Sequence, residues 1–167
     1  MRRPLGVLAA AAALATIAAP VSAAQAVTAS PASYAPEVGT ARENTVVRLV
    51  NARRAKKGCR ALKHHPRLHR AARGHSADMA ENRYFSHTSR DGRSFTDRIE
   101  EAGFIGGTRT AENIGRGQRT PAMAVQSWMN TPGTRAAMLN CRFTFIGVGA
   151  AEDYDGAIYW TQLFATK

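Results

Sequence analysis

Downstream of residue 40, apolar side chains recur at the three- and four-residue spacing that is typical of amphipathic helices. The first helix should begin after Thr40, because Thr40 and Glu43 match a capping box, in which each side chain bonds the other residue's backbone N–H. Gly58 should end this helix. Its apolar face would carry Val46, Leu49 and Val50. We expect its solvent face to carry Arg48, Arg53 and Arg54.

A second helix is predicted at His64-His65-Pro66, since proline suits the first turn of a helix. Its apolar stripe comprises Leu68, Ala71, Ala72, His75 and Met79. His75 therefore falls on the buried face, where it is either a ligand or a core histidine with a satisfied hydrogen bond. We favour the core histidine. We expect His64, His65 and His69 to be surface residues at the start of the helix.

Shorter elements are predicted in the middle of the chain. Ser94 should cap a short helix that ends at Gly103. The segment from Glu112 to Gly115 could form a short strand. Thr120-Pro121 indicates another helix start, with threonine as the N-cap and proline at the first helical position, and Pro132-Gly133 should end that helix.

The last quarter of the chain has the two-residue alternation of strands, first over residues 144–150 and again over residues 157–164. Asp155-Gly156 lies between the two segments and predicts a hairpin turn. Because helices come first and an antiparallel hairpin comes last, the pattern favours an α+β fold over a wound parallel sheet.

The first 26 residues have the features of a secretory signal: Arg2 and Arg3, an apolar run from Leu5 to Ala19, and small residues at the predicted cleavage sites. The alternative is a membrane anchor, but the run is short for a span and no other long apolar stretch follows. We therefore expect residues 1–26 to be a signal peptide and residues 27–40 a flexible linker. The mature protein would be secreted, without a transmembrane segment, and could associate with the cell wall.

The formal net charge is +11, which favours anionic surroundings such as wall polymers or anionic lipids. Export makes nucleic acid the least favoured of these partners, and the alternative interpretation is a solvated basic surface. Cys59 and Cys141 are the two cysteines of the chain. In an oxidising compartment we expect them to pair, the alternative being two buried thiols.

Residues able to carry chemistry are concentrated between positions 84 and 135. His87 follows Tyr84-Phe85-Ser86, and Glu112 lies between Ala111 and Asn113-Ile114. Because an unpaired carboxylate is costly to bury, Glu112 should have a partner, and His87 is our hypothesis for it.

Five motifs occur in order along the chain: Tyr84-Phe85-Ser86-His87-Thr88, Glu112-Asn113-Ile114, Trp128-Met129-x-x-Pro132-Gly133, Ile146-Gly147-Val148-Gly149 and Tyr159-Trp160-Thr161-Gln162. In their order and spacing they resemble the bacterial branch of the CAP superfamily, the cysteine-rich secretory, antigen 5 and pathogenesis-related 1 proteins. The resemblance covers about residues 42–165, within a predicted CAP (SCP-like) domain of residues 41–167.

The resemblance implies an α-β-α sandwich, with a central antiparallel sheet between helical layers. It also implies a cleft lined by histidines and acidic residues, in which some family members hold a divalent metal. Here His87 matches the first cleft histidine and Glu112 the cleft glutamate, with Trp128 alongside. The positions of Cys59 and Cys141 also look like those of disulfide-bearing members.

Thr134 departs from the family pattern, because bacterial members usually have histidine after Pro132-Gly133. A threonine hydroxyl is a poor zinc ligand, and His87 and Glu112 supply only two ligands. His75 would be a third only if its ring turned into the cleft. We expect no required cofactor, and at most weak zinc or calcium binding.

Three classes of function are consistent with this sequence. The favoured class is a non-catalytic exported module that binds an anionic wall polymer, a lipid or a small ligand, as a monomer. The second is a hydrolase of wall peptides or proteins, with His87 as general base, Glu112 assisting, and water or Ser86 attacking. The third is a structural or host-interacting secreted protein with a vestigial cleft.

Overall fold

Five helices and four strands make up the part of the chain that the computed structural model describes, residues 37–167. The predicted signal peptide and most of the predicted linker lie outside the described residues. In chain order the elements are α1 (Ala41–Lys56), β1 (Lys63–His64), α2 (Pro66–Glu81), α3 (Phe95–Glu101), β2 (Arg109–Arg116), α4 (Pro121–Asn130), α5 (Pro132–Met138), β3 (Phe145–Glu152) and β4 (Ile158–Thr166). Within residues 37–167, no helix has both the length and the apolar character needed to cross a membrane.

The strands form one sheet in the order β1-β3-β4-β2. The predicted hairpin of β3 and β4 is confirmed, and β2 pairs antiparallel with β4 on the other side. The two-residue β1 instead pairs parallel with β3, so the sheet is mixed rather than wholly antiparallel. A two-residue strand is too short to show an alternating pattern in the sequence.

Helices cover both faces of the sheet, as the α-β-α prediction requires. Alternate residues of β4 enter different cores: Trp160 and Phe164 pack with α1, α4 and α5, whereas Leu163 packs with α2 and α3. On the α2 face, Gly147 and Gly149 let the helix backbone lie directly on β3. A Cβ at Gly147 would overlap the backbone of Leu68.

The predicted caps are confirmed, with one correction. Thr40 and Glu43 form the capping box of α1, and Ser94 caps α3. Helix α4 ends at Asn130, but Pro132 does more than end it, because Pro132 occupies the first turn of the separate helix α5. Proline suits a first turn as well as a stop, so the sequence signal had two meanings.

Arg54 is fully buried, so its prediction as a solvent-facing residue was wrong. Its guanidinium donates to four backbone carbonyls: those of Arg60, Met138, Asn140 and Phe143, at 2.8–3.1 Å. The carbonyl of Arg60 lies in the segment that follows α1, and the other three lie at the last residue of α5 and in the segment after it. Arg54 therefore links two distant parts of the chain.

The predicted disulfide between Cys59 and Cys141 is present and joins the same two segments. It closes a sequence separation of 82 residues. A cross-link of that span restricts the unfolded chain and stabilises the fold by roughly 2–4 kcal/mol. The disulfide and the Arg54 hydrogen bonds thus fix one end of the sandwich together.

His64, His65 and His69 are all half-buried, so their prediction as surface residues was wrong. His64 and His69 lie beside buried Glu43. Glu43 accepts hydrogen bonds from His69 Nε2 at 3.1 Å, from Arg73 at 2.9 Å and from the Ala150 N–H at 3.0 Å. Burial alone would raise the pKa of Glu43, but the hydrogen bonds from His69, Thr40 and Arg73 lower it to about 2. The capping glutamate therefore also connects α1 to α2 and β3.

Replacing Arg54 with lysine should destabilise the protein by at least about 1–3 kcal/mol, because an ammonium group has three donors for four carbonyls and leaves at least one of them buried and unpaired. The matched control is Arg53→Lys at the exposed neighbouring position, which should change stability by less than about 0.5 kcal/mol. Urea unfolding of both variants measures the difference. Equal losses of stability in the two variants would show that the Arg54 hydrogen bonds contribute little to the free energy of unfolding.

Candidate functional site

The structure brings the two predicted site residues, His87 and Glu112, into direct contact. Glu112 lies on β2 with a side chain that is 1% exposed, and His87 lies in the segment after α2 with a side chain that is 58% exposed. His87 Nδ1 is 2.8 Å from Glu112 Oε1. Since the carboxylate oxygen accepts, Nδ1 is the donor, and Nε2 is the ring nitrogen left for the cleft.

Arg98, on α3, completes the arrangement from the buried side. Its Nη2 donates to Glu112 Oε2 at 2.7 Å and to the His87 carbonyl at 3.0 Å. Its Nη1 donates to Ser89 Oγ at 3.0 Å and to the Arg93 carbonyl at 3.1 Å. One guanidinium thereby holds both the carboxylate and the segment that carries the histidine.

Sequence reasoning missed Arg98. The sequence did hold one indication of such a residue, because a buried carboxylate needs a compensating positive charge. The chain has 23 lysines and arginines, and helical periodicity alone does not tell which of them is buried against Glu112. The sequence therefore indicated a partner of this kind without identifying it.

The pKa of His87 is raised, first because of its hydrogen bond to Glu112, although burial and Arg98 oppose the shift. The charged imidazolium is therefore favoured in the folded state. Since the folded pKa exceeds the unfolded value of about 6.5, this interaction contributes fully to stability below pH ~6.5. The contribution is lost as the pH rises through the folded pKa.

His75 is buried and separate from this pair, as the core-histidine interpretation predicted. The residue is 1% exposed, and its Nε2 lies 2.9 Å from the Ser86 carbonyl. Burial first, and then the charge of Arg98, lower the pKa of His75. The two histidines near Arg98 therefore have opposite pKa shifts, because only His87 donates to the carboxylate.

His87 opens onto a cleft of about 600 Å³. Trp128 forms part of its wall, and the indole N–H donates to the Ile114 carbonyl at 2.9 Å. Gly115 permits this contact, because a Cβ there would meet the indole at 3.4 Å and Gln118 Oε1 at 2.9 Å. The remaining wall residues are Phe85, Ser86, Arg116, Ser127, Thr131 and Thr134.

Thr134 lies on this cleft, but its hydroxyl is already engaged. Thr134 Oγ1 is 2.7 Å from the Trp128 carbonyl and 3.2 Å from the Thr131 carbonyl. The hydroxyl proton is therefore shared with backbone carbonyls at the C-terminal end of α4. The backbone carbonyl of Thr134 in turn accepts from buried Asn113 at 3.1 Å, which fixes α5 against β2.

The donor set does not fit a divalent metal. Both oxygens of Glu112 are taken, one by His87 and one by Arg98, and the Thr134 hydroxyl is committed to α4. His75 bonds to the Ser86 carbonyl rather than turning into the cleft. Within residues 37–167, no group of three histidine, cysteine or acidic side chains is arranged to hold a metal ion.

The chain belongs to the CAP family, described as the cysteine-rich secretory protein family, whose model matches residues 47–164. This confirms the resemblance that the five motifs indicated. Membership of this family also agrees with the observed fold, a mixed sheet between two helical layers.

Two curated relatives come from Bacillus subtilis (strain 168). The uncharacterised protein YkwD is 42% identical over 133 residues, which is 80% of this chain and 50% of YkwD. The uncharacterised membrane protein YlbC is 37% identical over 78% of this chain and 36% of its own length. The chain thus spans half or less of these relatives.

Solved structures show the same fold. An extracellular protein containing an SCP domain from Bacillus anthracis str. Ames has a TM-score of 0.68 and 32% identity, over 75% of this chain and 40% of that one. An outer surface protein from Borrelia burgdorferi has a TM-score of 0.69 over 74% of this chain and 91% of its own. Its identity of 22% supports the fold alone.

Replacing Glu112 with glutamine should destabilise the protein by about 3–5 kcal/mol, because buried Arg98 would lose its carboxylate partner. The control is Glu101→Gln, which removes an exposed carboxylate that pairs with Arg93. The control should cost less than about 1 kcal/mol. Urea unfolding at pH values near neutrality distinguishes the two. A similarly small loss of stability in both variants would show that the ion pair between Arg98 and Glu112 stabilises the fold less than expected.

Proposed function

We propose that this protein is an exported, non-catalytic binding module whose cleft takes an anionic ligand from the cell surface, such as a phosphate-bearing wall polymer. The observation that carries the proposal is the charge of the cleft. Its titratable wall residues within the described chain are His87 and Arg116, and no carboxylate lines it. Glu112 lies behind His87, where it favours the imidazolium instead of facing the ligand.

Export is supported by three independent features. The first 26 residues match a secretory signal, and Cys59 and Cys141 form a disulfide of the kind that persists in oxidising compartments. One structural neighbour with 32% identity is described as an extracellular protein. A net charge of +11 would then assist attraction to an anionic surface.

The anionic ligand would approach two cationic groups that differ in their pH response. Arginine remains charged at all physiological pH values, whereas the charge of His87 depends on its raised pKa. Charge-assisted hydrogen bonds to phosphate or carboxylate oxygens are the stronger kind. Affinity should therefore be highest when His87 is protonated, and weaken as pH rises.

A hydrolase is the second candidate, because a carboxylate that accepts from His87 Nδ1 leaves Nε2 free to take a proton. Two observations favour binding over hydrolysis. The raised pKa of His87 holds more of the ring in the charged form, which cannot act as a base. The hydroxyl of neighbouring Ser86 accepts a hydrogen bond from the Thr88 N–H at 3.1 Å, and among the described residues it makes no hydrogen bond to the ring of His87.

The test is binding of poly(glycerol phosphate), with neutral dextran as the comparison polymer. Arg116→Gln should weaken binding at least about fivefold, the loss of one charge-assisted hydrogen bond. The matched control, Arg119→Gln, removes the same charge from an exposed position that does not line the cleft. Binding to the unmodified protein should be tighter at about pH 5.5 than at about pH 8, because His87 is protonated at the lower pH.

Equal losses in Arg116→Gln and Arg119→Gln would assign the binding to the basic surface as a whole and refute the cleft. Release of fragments from wall peptides by purified protein, abolished by His87→Ala, would instead establish the hydrolase.

A further inference from the structure

One end of the sheet carries exposed cations on or beside all of its strands. Strands β1, β2 and β3 begin at this end and β4 ends there, because β1 pairs parallel with β3 while β4 pairs antiparallel with both β3 and β2. We call this end, with the segments that flank it, the basic end. Its exposed cationic residues are Arg60, Lys63, Arg67, Arg109 and Arg142.

The two outer strands define the width of the basic end. Lys63 pairs with Phe145 at the start of β3, and Arg109 pairs with Thr166 at the end of β4. In the strand order β1-β3-β4-β2, Lys63 and Arg109 are therefore three strand spacings apart, roughly 14–15 Å. A flat surface laid against this end meets both residues at once.

Arg60 and Arg142 are held at the same end by contacts of their neighbours and backbone. The Thr166 hydroxyl donates to the Arg142 carbonyl at 3.0 Å. The disulfide joins Cys59 to Cys141, the residues that precede Arg60 and Arg142 in the chain. The two arginines therefore lie on either side of one covalent link.

Carboxylates are absent from the basic end. The segments that form it contain no aspartate or glutamate: residues 54–68, 103–110, 138–145 and 164–167. Within residues 37–167, none of the five cations forms an ion pair. The pKa of His65 reflects the same surroundings, because burial first, and then the charges of Lys167 and Arg67, lower it.

The opposite end of the sandwich differs in charge. The hairpin between β3 and β4 carries carboxylates there, and Glu152 pairs with Arg42 while Asp155 pairs with Arg83. Positive charge is therefore less compensated at the basic end. An anionic surface should orient the molecule with the basic end towards it.

Ile105 is also at the basic end, and it is 62% exposed. It lies in the loop of residues 103–108, between α3 and β2. The Gly103 carbonyl at the start of this loop accepts from Arg67. The Thr108 N–H at its end donates to the last residue of β4 at 3.0 Å, and Arg109 follows. The loop therefore presents an aliphatic side chain to solvent between two of the cations.

Exposed cations beside an exposed aliphatic side chain match the two parts of an anionic lipid interface. Lysine and arginine are attracted to the headgroup phosphates, and binding gains further from apolar groups that enter the boundary between headgroups and acyl chains. A phosphate-bearing polymer offers the charge but no apolar phase for Ile105. The combination therefore favours a lipid surface over a polymer.

We propose that the basic end docks on an anionic phospholipid surface, with Ile105 inserted at the boundary between headgroups and acyl chains. This surface is distinct from the cleft at His87. Arg116, in the cleft wall, lies at the other end of β2 from Arg109, about 24 Å away along the strand. The proposal is therefore independent of the one made for the cleft.

Co-sedimentation with vesicles of phosphatidylglycerol and phosphatidylcholine tests the charge requirement, with pure phosphatidylcholine vesicles for comparison. Arg109→Gln and Arg142→Gln should each weaken binding to the anionic vesicles about fivefold, the contribution of one cation near such a surface. Both side chains are exposed, so the substitutions leave the fold intact. The matched control is Arg119→Gln, an exposed arginine beyond the far end of β2, which should change binding less than about twofold.

Fluorescence quenching by brominated phosphatidylcholine in the anionic vesicles tests the insertion. Ile105→Trp places an indole on the loop, and its emission should be quenched when the vesicles bind. Met123→Trp is the matched control, because Met123 is an exposed apolar residue on α4, and its emission should not be quenched. Trp128 and Trp160 are buried and give the same background in both variants.

The cleft is tested apart from the basic end by exchanging the variants between the two experiments. Arg116→Gln should leave vesicle binding unchanged within about twofold, and Arg109→Gln should leave the binding of poly(glycerol phosphate) unchanged to the same degree. Loss of one activity without the other then shows which of the two proposals has failed.

Three results would overturn docking on lipid. Vesicle binding that Arg109→Gln and Arg119→Gln weaken equally would assign it to net charge and not to the basic end. Quenching in Ile105→Trp no greater than in Met123→Trp would place Ile105 outside the bilayer. Binding of poly(glycerol phosphate) that Arg109→Gln weakens fivefold, without binding of anionic vesicles, would make the basic end a polymer site.

Discussion

The buried ion pair between Arg98 and Glu112 is the interaction on which the rest of the site depends. Both side chains are at most 5% exposed, and their atoms approach to 2.7 Å. Removing one partner from such a pair leaves an uncompensated buried charge, which typically costs about 3–5 kcal/mol. Arg98 also donates from Nη1 and Nη2 to the segment from His87 to Arg93. The same side chain therefore neutralises the carboxylate on β2 and orders the segment that carries the histidine.

This pair also explains why two histidines on either side of it behave differently. His87 donates directly to Glu112, so the carboxylate dominates and the pKa rises. His75 faces the guanidinium from a buried position, so desolvation and the positive charge dominate and the pKa falls. The cleft is therefore lined by a histidine that tends to be charged, whereas the buried histidine near Arg98 tends to be neutral.

Local signals in the sequence predicted much of the fold. The helix starts at Thr40, Ser94 and Thr120 follow from side-chain caps that act within four residues, and the hairpin at Asp155-Gly156 follows from alternation and turn chemistry. The disulfide was predicted from the cysteine count and the export signal. The helix α5 was missed because Pro132 is compatible with both an end and a beginning.

The errors concern charged side chains that become buried through contacts distant in sequence. Arg54 looks solvent-facing on a helical wheel, yet carbonyls more than 80 residues away surround part of its guanidinium. His69 was placed at the surface, although it meets Glu43 across 26 residues. Periodicity reports which face is apolar, and it carries no information on which arginine or histidine a distant segment will cover. The pairing of His87 with Glu112 was foreseeable because it rested on the chemistry of the carboxylate, whereas Arg98 was not.

Long-range ¹H–¹⁵N NMR of the imidazole rings, followed across pH, tests the central role of Arg98 and Glu112 most directly. We expect His87 to titrate with a pKa above its ordinary value of about 6.5. Over the same range His75 should remain the neutral tautomer that carries its proton on Nε2. Titration of His87 at or below the ordinary value, or protonation of His75 together with His87, would contradict the central role of Arg98 and Glu112.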